Sequence, residues 1–112
     1  MGKIVWLKSQ QDFEGFKASK AFQTPLLKLR VHWSQTQNVP RFGFIIPKKV
    51  LPNVVDRNKL KRRMKSILLK FSARLKPADV LFFPTNRALK LTFAKLEKEM
   101  ELIFNQARLW KS

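Results

Sequence analysis

Apolar and polar positions along this chain fall into runs with distinct periods. From Leu27 to Trp33 they alternate: Leu27, Leu29, Val31 and Trp33 point one way, and Lys28, Arg30 and His32 point the other. A period of two marks a strand with one buried face. Ser34 to Pro40 is polar and reads as a turn. Arg41 to Ile46 reads as a second strand, with Phe42, Phe44 and Ile46 on one face. Pro47 ends it, because proline cannot donate to a sheet ladder. Pro52, Asn53 and Asp56 then mark a loop and a helix start, with Asp56 as the simplest N-cap. The period changes to that of a helix from about Arg57 to Leu75, where Leu60, Met64, Ile67, Leu68, Phe71 and Leu75 form an apolar stripe closed off by Pro77. Val80 to Phe83 is an apolar run of strand length between Pro77 and Pro84. Thr92 is placed to cap a last helix reaching about Trp110, with Phe93, Leu96, Met100, Ile103, Phe104 and Ala107 turned inward. Ahead of all these, Ser9 to Lys17 reads as a short helix capped by Ser9 or Asp12, with Phe13 and Phe16 on one side. Gly15 weakens it.

The order of helix, strands, helix, strand, helix predicts a single domain over residues 1–112. Its class is α/β (α+β), a two-layer sandwich with a mixed four-stranded sheet and three helices in the order α-β-β-(β)-α-β-α.

Charge changes the picture from a fold to a partner. Against 24 Lys and Arg stand 7 Asp and Glu, giving a formal net charge of +17. Such an excess opposes folding by self-repulsion and points to a polyanion in use, of which nucleic acid is the commonest. A membrane surface fits less well, because the cations are spread along the chain rather than gathered on one amphipathic helix or beside an apolar span. Three acidic residues, Glu97, Glu99 and Glu101, lie in the last helix, which concentrates the positive field nearer the middle of the chain. The absence of cysteine excludes disulfides, thiolate metal sites and a cysteine nucleophile. No secretory signal is read at the N-terminus and no run approaches a membrane span, so cytoplasm is the expected location.

The segment richest in chemistry runs from Lys48-Lys49 through Arg57-Asn58-Lys59-Leu60-Lys61-Arg62-Arg63-Met64-Lys65. At about 100° per residue, Asn58, Lys61, Arg62 and Lys65 fall within about one third of the helix circumference, beside and partly opposite the apolar stripe. Cations near a helix N-terminus are unfavourable in an isolated helix, and a bound phosphate backbone reverses that sign. The plainer reading is a solvated basic face.

Arg57-Asn58-Lys59-Leu60-Lys61-Arg62 followed by Lys65 resembles the signature helix of the bacterial ribonuclease P protein subunit family. That pattern is Arg-Asn-Arg-x-Lys-Arg-x-x-Arg, preceded by a strand ending in a Lys-Lys pair; here the strand is Gly43-Phe44-Ile45-Ile46-Pro47 and the pair Lys48-Lys49. The likeness extends to Leu7-Lys8-Ser9 and Asp12-Phe13 upstream and to Asp79-Val80-Leu81-Phe82-Phe83 and Leu91-Thr92-Phe93 downstream, so it covers nearly the whole chain in order. There are departures. Lys59 and Lys65 stand where the pattern has Arg, keeping charge but losing the planar fork. Pro47 stands where small polar residues are usual, Phe13 and Phe16 are three apart rather than four, and Pro84-Thr85-Asn86-Arg87 carries one cation in place of a basic pair.

The resemblance implies a protein that assists a catalytic RNA in removing the 5′ leader of precursor tRNA. The active site and its magnesium ions would belong to the RNA, and no cofactor would be held tightly by the chain. It implies docking of the catalytic RNA on Lys48, Lys49, Arg57, Asn58, Lys59, Lys61, Arg62 and Lys65, and a cleft for the leader at Phe13, Phe16, Lys28, Arg30 and His32. It also implies a left-handed β-α-β crossover, against the general right-handed rule. No obligate protein partner is expected.

The residues themselves are compatible with an accessory role. His32 is the only histidine and reads as a cleft or surface residue rather than a general base. No His-Cys cluster or acidic pair has metal-ligand spacing, which a self-sufficient protein nuclease would need. Phe13 and Phe16 read equally as core or as base-stacking residues. Trp6, Trp33 and Trp110 are most simply packing residues. Lys28, Arg30 and His32 could be solvent decoration. The alternative from another class is a basic ribosomal or ribosome-assembly protein with no role in cleavage. A DNA-binding module is a third reading, without helix–turn–helix or zinc-finger spacing to support it.

Overall fold

The computed structural model describes residues 4–7, 19–33 and 39–111. The helix expected over Ser9 to Lys17, with Phe13 and Phe16, lies outside the described residues.

Alternating side chains build the sheet. Strand β3, Leu27–His32, buries Leu27, Leu29 and Val31 and leaves Lys28, Arg30 and His32 half-buried on the other side. It pairs antiparallel with β5, Asp79–Pro84, and with β2, Lys20–Gln23. On its other side β5 runs parallel to β4, Arg41–Phe44, which runs parallel to β1, Val5–Trp6. The result is a five-stranded mixed sheet in the order β1-β4-β5-β3-β2, where four strands were expected. The two edge strands had no periodic signal. Val5–Trp6 is two residues long, and Lys20–Gln23 has Phe22 as its one large apolar side chain. The turn from β2 to β3 is held by buried Thr24, whose Oγ1 accepts the Leu27 N–H at 3.1 Å and whose N–H donates to the Leu27 carbonyl at 2.8 Å.

Helix α1, Val54–Phe71, connects the parallel neighbours β4 and β5. It starts three residues before the expected Arg57. Asn53, not Asp56, is the cap, and its side chain accepts the Val55 N–H at 2.8 Å. Asp56 sits in the first turn, where a carboxylate meets the positive end of the helix dipole. The helix also ends earlier than expected. Ser72–Arg74 form a 3-10 turn, with Ser72 Oγ donating to the Leu69 carbonyl at 2.9 Å, and Leu75 remains buried beyond it. Helix α2, Phe93–Ala107, is capped by Thr92 as expected. It stops at Ala107 rather than near Trp110, because Arg108 adopts a left-handed conformation (φ 55°, ψ 43°). The chain then folds back, and Trp110 bridges Leu75.

Both helices cover one face of the sheet. Between them Phe82 stacks on Phe42 and Phe44 at ring-centre distances of 5.9 and 5.8 Å and meets Phe104 edge-on at 5.8 Å. Phe104 in turn meets Phe71 and Trp110 edge-on. Lys70 and Glu97, 2.8 Å apart, join the helices at the surface. On the opposite face Leu7 and Leu81 are buried, with Ile45 and Phe83 against them. Two expectations about the core fail. Phe93 is 45% exposed because, as the first residue of α2, it faces the outer side of α1 beside Lys59, Arg62 and Ser66. Trp33 is 45% exposed because it lies past the end of β3.

Candidate nucleic-acid interface

Two basic surfaces lie on different sides of the sheet. The first is on α1. Asn58, Lys61, Arg62 and Lys65, grouped by helical geometry, line one hollow together with exposed Val55. Among the described residues lining it there is no carboxylate. Lys65 is held by a ring: its Nζ lies 5.0 Å from the centre of Trp6, which itself packs against Phe44. A cation over an aromatic face loses rotamer freedom, so Trp6 of β1 positions the Lys65 ammonium of α1 in the hollow.

Other members of the basic segment separate from this group. Lys59 turns toward a neighbouring hollow with Arg63, Ser66 and Phe93, and Arg62 borders both. Arg57 turns back on its own loop, where its Nη1 donates to the carbonyls of Leu51 at 2.7 Å and Pro52 at 3.0 Å. It clasps the entry to α1 and fixes where the helix begins. Arg63 does the same for a distant loop, donating to the carbonyls of Leu89 and Leu91 at 3.2 and 3.1 Å. Lys48 and Lys49 are exposed in the turn before α1. Lys49 faces away from the Asn58–Lys65 hollow and lines one on the opposite face of the sheet with Lys28, Ile45 and Phe83.

That opposite face is the second surface. Because β3 alternates, Lys28, Arg30 and His32 form a row along it, and their register partners on β5 are Phe83, Leu81 and Asp79. Lys28 Nζ lies 5.8 Å from the Phe83 ring centre. Arg30 Nε donates to Ser19 Oγ at 2.9 Å and its Nη2 to the Ser19 carbonyl at 3.1 Å, which holds the guanidinium against the start of β2. His32 Nδ1 lies 3.7 Å from Asp79 Oδ2. Asp79, only 4% exposed, takes a two-pronged pair from Arg41 at 2.7 and 2.6 Å. The expected cleft residues Phe13 and Phe16 lie outside the described residues. Sequence reasoning missed Phe83 and Trp6 as parts of these surfaces, and it grouped Lys49 with the α1 cations rather than with Lys28. Only the parallel pairing of β1, β4 and β5 brings them there, and no local pattern encodes it.

The Arg41–Asp79 pair has a measurable consequence. Asp79→Asn keeps the shape and removes the charge that matches the guanidinium fork. It should cost about 1–3 kcal/mol, the scale for a hydrogen bond to a charged group. Urea unfolding should show a lower midpoint at unchanged slope, and RNA affinity should not fall, since the change removes a negative charge from a basic face. A stability unchanged from wild type would contradict the structural role given to this pair.

Among the described residues no group of three or more His, Cys, Asp or Glu side chains comes together. Asp79 is engaged by Arg41 and Glu97 by Lys70. Nor is any helix among them long and apolar enough to cross a membrane.

A mixed sheet under two helices, with cations grouped over aromatic rings on two surfaces, defines an α+β domain of the nucleic-acid-binding kind. A family model described as Ribonuclease P matches residues 1–108. The chain is 28% identical over 107 residues to the Ribonuclease P protein component of Synechocystis, covering 94% of this chain and 86% of that one. It is 28% identical over 112 residues to that of Bacillus velezensis, covering 99% and 96%. In fold it is similar to the Staphylococcus aureus RNase P protein, with a TM-score of 0.87 at 19% identity over 97% of this chain and 100% of that one. The chain belongs to the ribonuclease P protein family.

Proposed function

We propose that this chain is the protein subunit of a ribonuclease P, binding its catalytic RNA and the 5′ leader of precursor tRNA while the RNA carries out cleavage. The observation that supports this reading beyond family membership is the division of the cations. One group lies on α1 around Asn58, Lys61, Arg62 and Lys65. The other lies across the sheet at Lys28, Arg30 and Lys49. A holoenzyme subunit has two RNA ligands and needs two such surfaces; a ribosomal protein, the other reading of the composition, needs no substrate face, and the family match does not favour it. In this reading α1 docks the catalytic RNA. The β3 row, with Lys49 at its end and Phe83 beneath Lys28, holds the single-stranded leader by phosphate contacts and stacking. Lys48 and Arg57 serve the first surface, Arg57 by setting where α1 begins. Magnesium is assigned to the RNA, the location to the cytoplasm, and no protein partner is required.

Reconstitution tests it. Purified protein free of RNA should leave precursor tRNA uncut, and adding it to the catalytic RNA should raise cleavage at low magnesium. The pair Lys28→Ala and Arg30→Ala should leave affinity for the catalytic RNA unchanged and lower the preference for precursor over mature tRNA by about five- to thirtyfold, or ~1–2 kcal/mol. Cleavage by the protein alone would overturn the accessory role. An equal loss of both affinities would replace two surfaces by one diffuse basic clamp.

A further inference from the structure

A third basic site lies where neither surface reaches. Past the end of β3, Trp33 borders a cavity of about 500 Å³ together with Lys20, Phe22, Lys76 and Arg108. Lys20 and Phe22 come from the edge strand β2, Lys76 from the turn before β5 and Arg108 from the end of α2. No acidic side chain is among the described residues that line it. Sheet order puts the cavity far from the docking hollow. The hollow reaches β1 through Lys65 over Trp6, whereas Lys20 and Phe22 belong to β2 at the opposite edge of the sheet. Four strand spacings, roughly 19 Å, separate the two edges. The side differs from the leader face as well, since Lys20 and Phe22 pair with Val31 and Leu29 on the helix-covered side of the sheet.

Two features of this cavity are unexplained by folding. The first is Trp33, 45% exposed, with Lys76 Nζ 5.9 Å from its ring centre. An exposed indole flanked by cations is a stacking platform beside a phosphate site. The second is Arg108. The left-handed cap that ends α2 is the position where glycine is favoured and a residue with a Cβ is strained. An arginine there lines the cavity at the expense of the fold.

We propose that this cavity binds an unpaired RNA nucleotide, its base stacked on Trp33 and its phosphate held by Lys20, Lys76 and Arg108. The proposal rests on the reading of this chain as an RNA-binding subunit and adds a contact outside the two surfaces of that reading. The nucleotide comes either from the catalytic RNA or from a leader that runs along β3 past His32 and turns round the end of the sheet.

The first probe is an oligouridylate decamer bearing one central 5-bromouridine. Wild type should bind it, and irradiation should cross-link it to Trp33. Trp33→Ala should weaken binding by about five- to tenfold, the effect of losing one stacked base. Arg108→Gly gives readouts of opposite sign. The melting temperature of the free protein should rise by a few degrees while decamer affinity falls. A purely structural arginine, partnering the negative end of the α2 dipole, would leave affinity unchanged. In the reconstituted complex, 5-bromouridine is then placed in the catalytic RNA in one arm and in the precursor leader in the other. The arm that cross-links Trp33 identifies the source. No decamer binding, unaltered affinity in both variants, or no Trp33 cross-link in either arm would overturn the site. Failure of the underlying reading looks different, because wild type would then fail to bind the catalytic RNA at all.

Discussion

Replacing Arg62 and Lys65 together by alanine should weaken binding of the catalytic RNA by ~3–6 kcal/mol while leaving the protein folded. Each is a cation in the α1 hollow, and a hydrogen bond to a charged group contributes about 1.5–3 kcal/mol. Arg62 is exposed and points nearly opposite the apolar stripe of Leu60, Met64, Ile67 and Phe71, so its removal empties no part of the core. Lys65 gives up its contact with Trp6, which is worth at most about 1 kcal/mol at a partly exposed site. Salt provides an internal control. Neutralising a phosphate releases a counterion, so log affinity falls against log salt with a slope of about −0.7 to −0.9 per contact. Losing two contacts should therefore flatten the slope by about 1.4–1.8. Titration of wild type and double variant at several salt concentrations measures both quantities. An affinity loss with an unchanged slope would show that neither side chain touches phosphate. An affinity loss in step with a lower unfolding midpoint would show that the effect is structural.

That Arg62 and Lys65 belong together was legible from helical spacing alone, because α1 is long, strongly striped and independent of its surroundings. The same logic gave β3, β5 and α2 to within a few residues. It failed where a feature depends on a neighbour in space. The edge strands β1 and β2 are too short or too polar to have a period, and are strands only because β4 and β3 offer them ladder partners. The start of α1 moved because Asn53 competes successfully with Asp56 for the capping role, and two plausible caps three residues apart cannot be ranked by residue type. Trp33 and Phe93 fit the periodic stripes of their elements but sit at the ends, where the opposing layer stops.

The candidate surfaces divide the same way. Row-mates on one element, such as Asn58 with Lys61 and Lys28 with Arg30, follow from its period. Partners across elements do not: Lys49 is next to Lys48 in sequence but faces the side of the sheet that carries Lys28. Arg57 and Arg63 show a further limit, for cations inside a basic run are indistinguishable in sequence. Yet these two donate to loop carbonyls while Arg62 stays exposed.

Phe104→Ala should give the largest loss of stability, ~3–5 kcal/mol, the usual cost of emptying a buried phenylalanine site. Phe104 is fully buried where the sheet, α1 and the C-terminal fold-back converge, touching Phe42, Phe71, Phe82 and Trp110. No single neighbour can collapse into the space without leaving another ring unsupported, which puts the cost at the upper part of that range. A domain of this size has about 5–15 kcal/mol in all, and here a formal charge of +17 already opposes the compact state. The free variant should therefore be partly unfolded at low salt. Two additions should restore it in distinguishable ways. Salt screens self-repulsion and should raise its unfolding midpoint, even as salt weakens its hold on RNA. Saturating catalytic RNA binds only the folded form and should stabilise it by RT ln(1 + [L]/Kd), about 2.7 kcal/mol at a hundredfold excess over Kd. Circular dichroism of the free variant across a salt series, with cleavage assays of the reconstituted holoenzyme at low salt, separates the two. Near-normal cleavage by a variant that is half-unfolded on its own would show that the RNA offsets the missing packing. If the free variant instead grows less stable as salt is added, self-repulsion is not what limits this fold, and the excess positive charge has no folding cost for RNA to relieve.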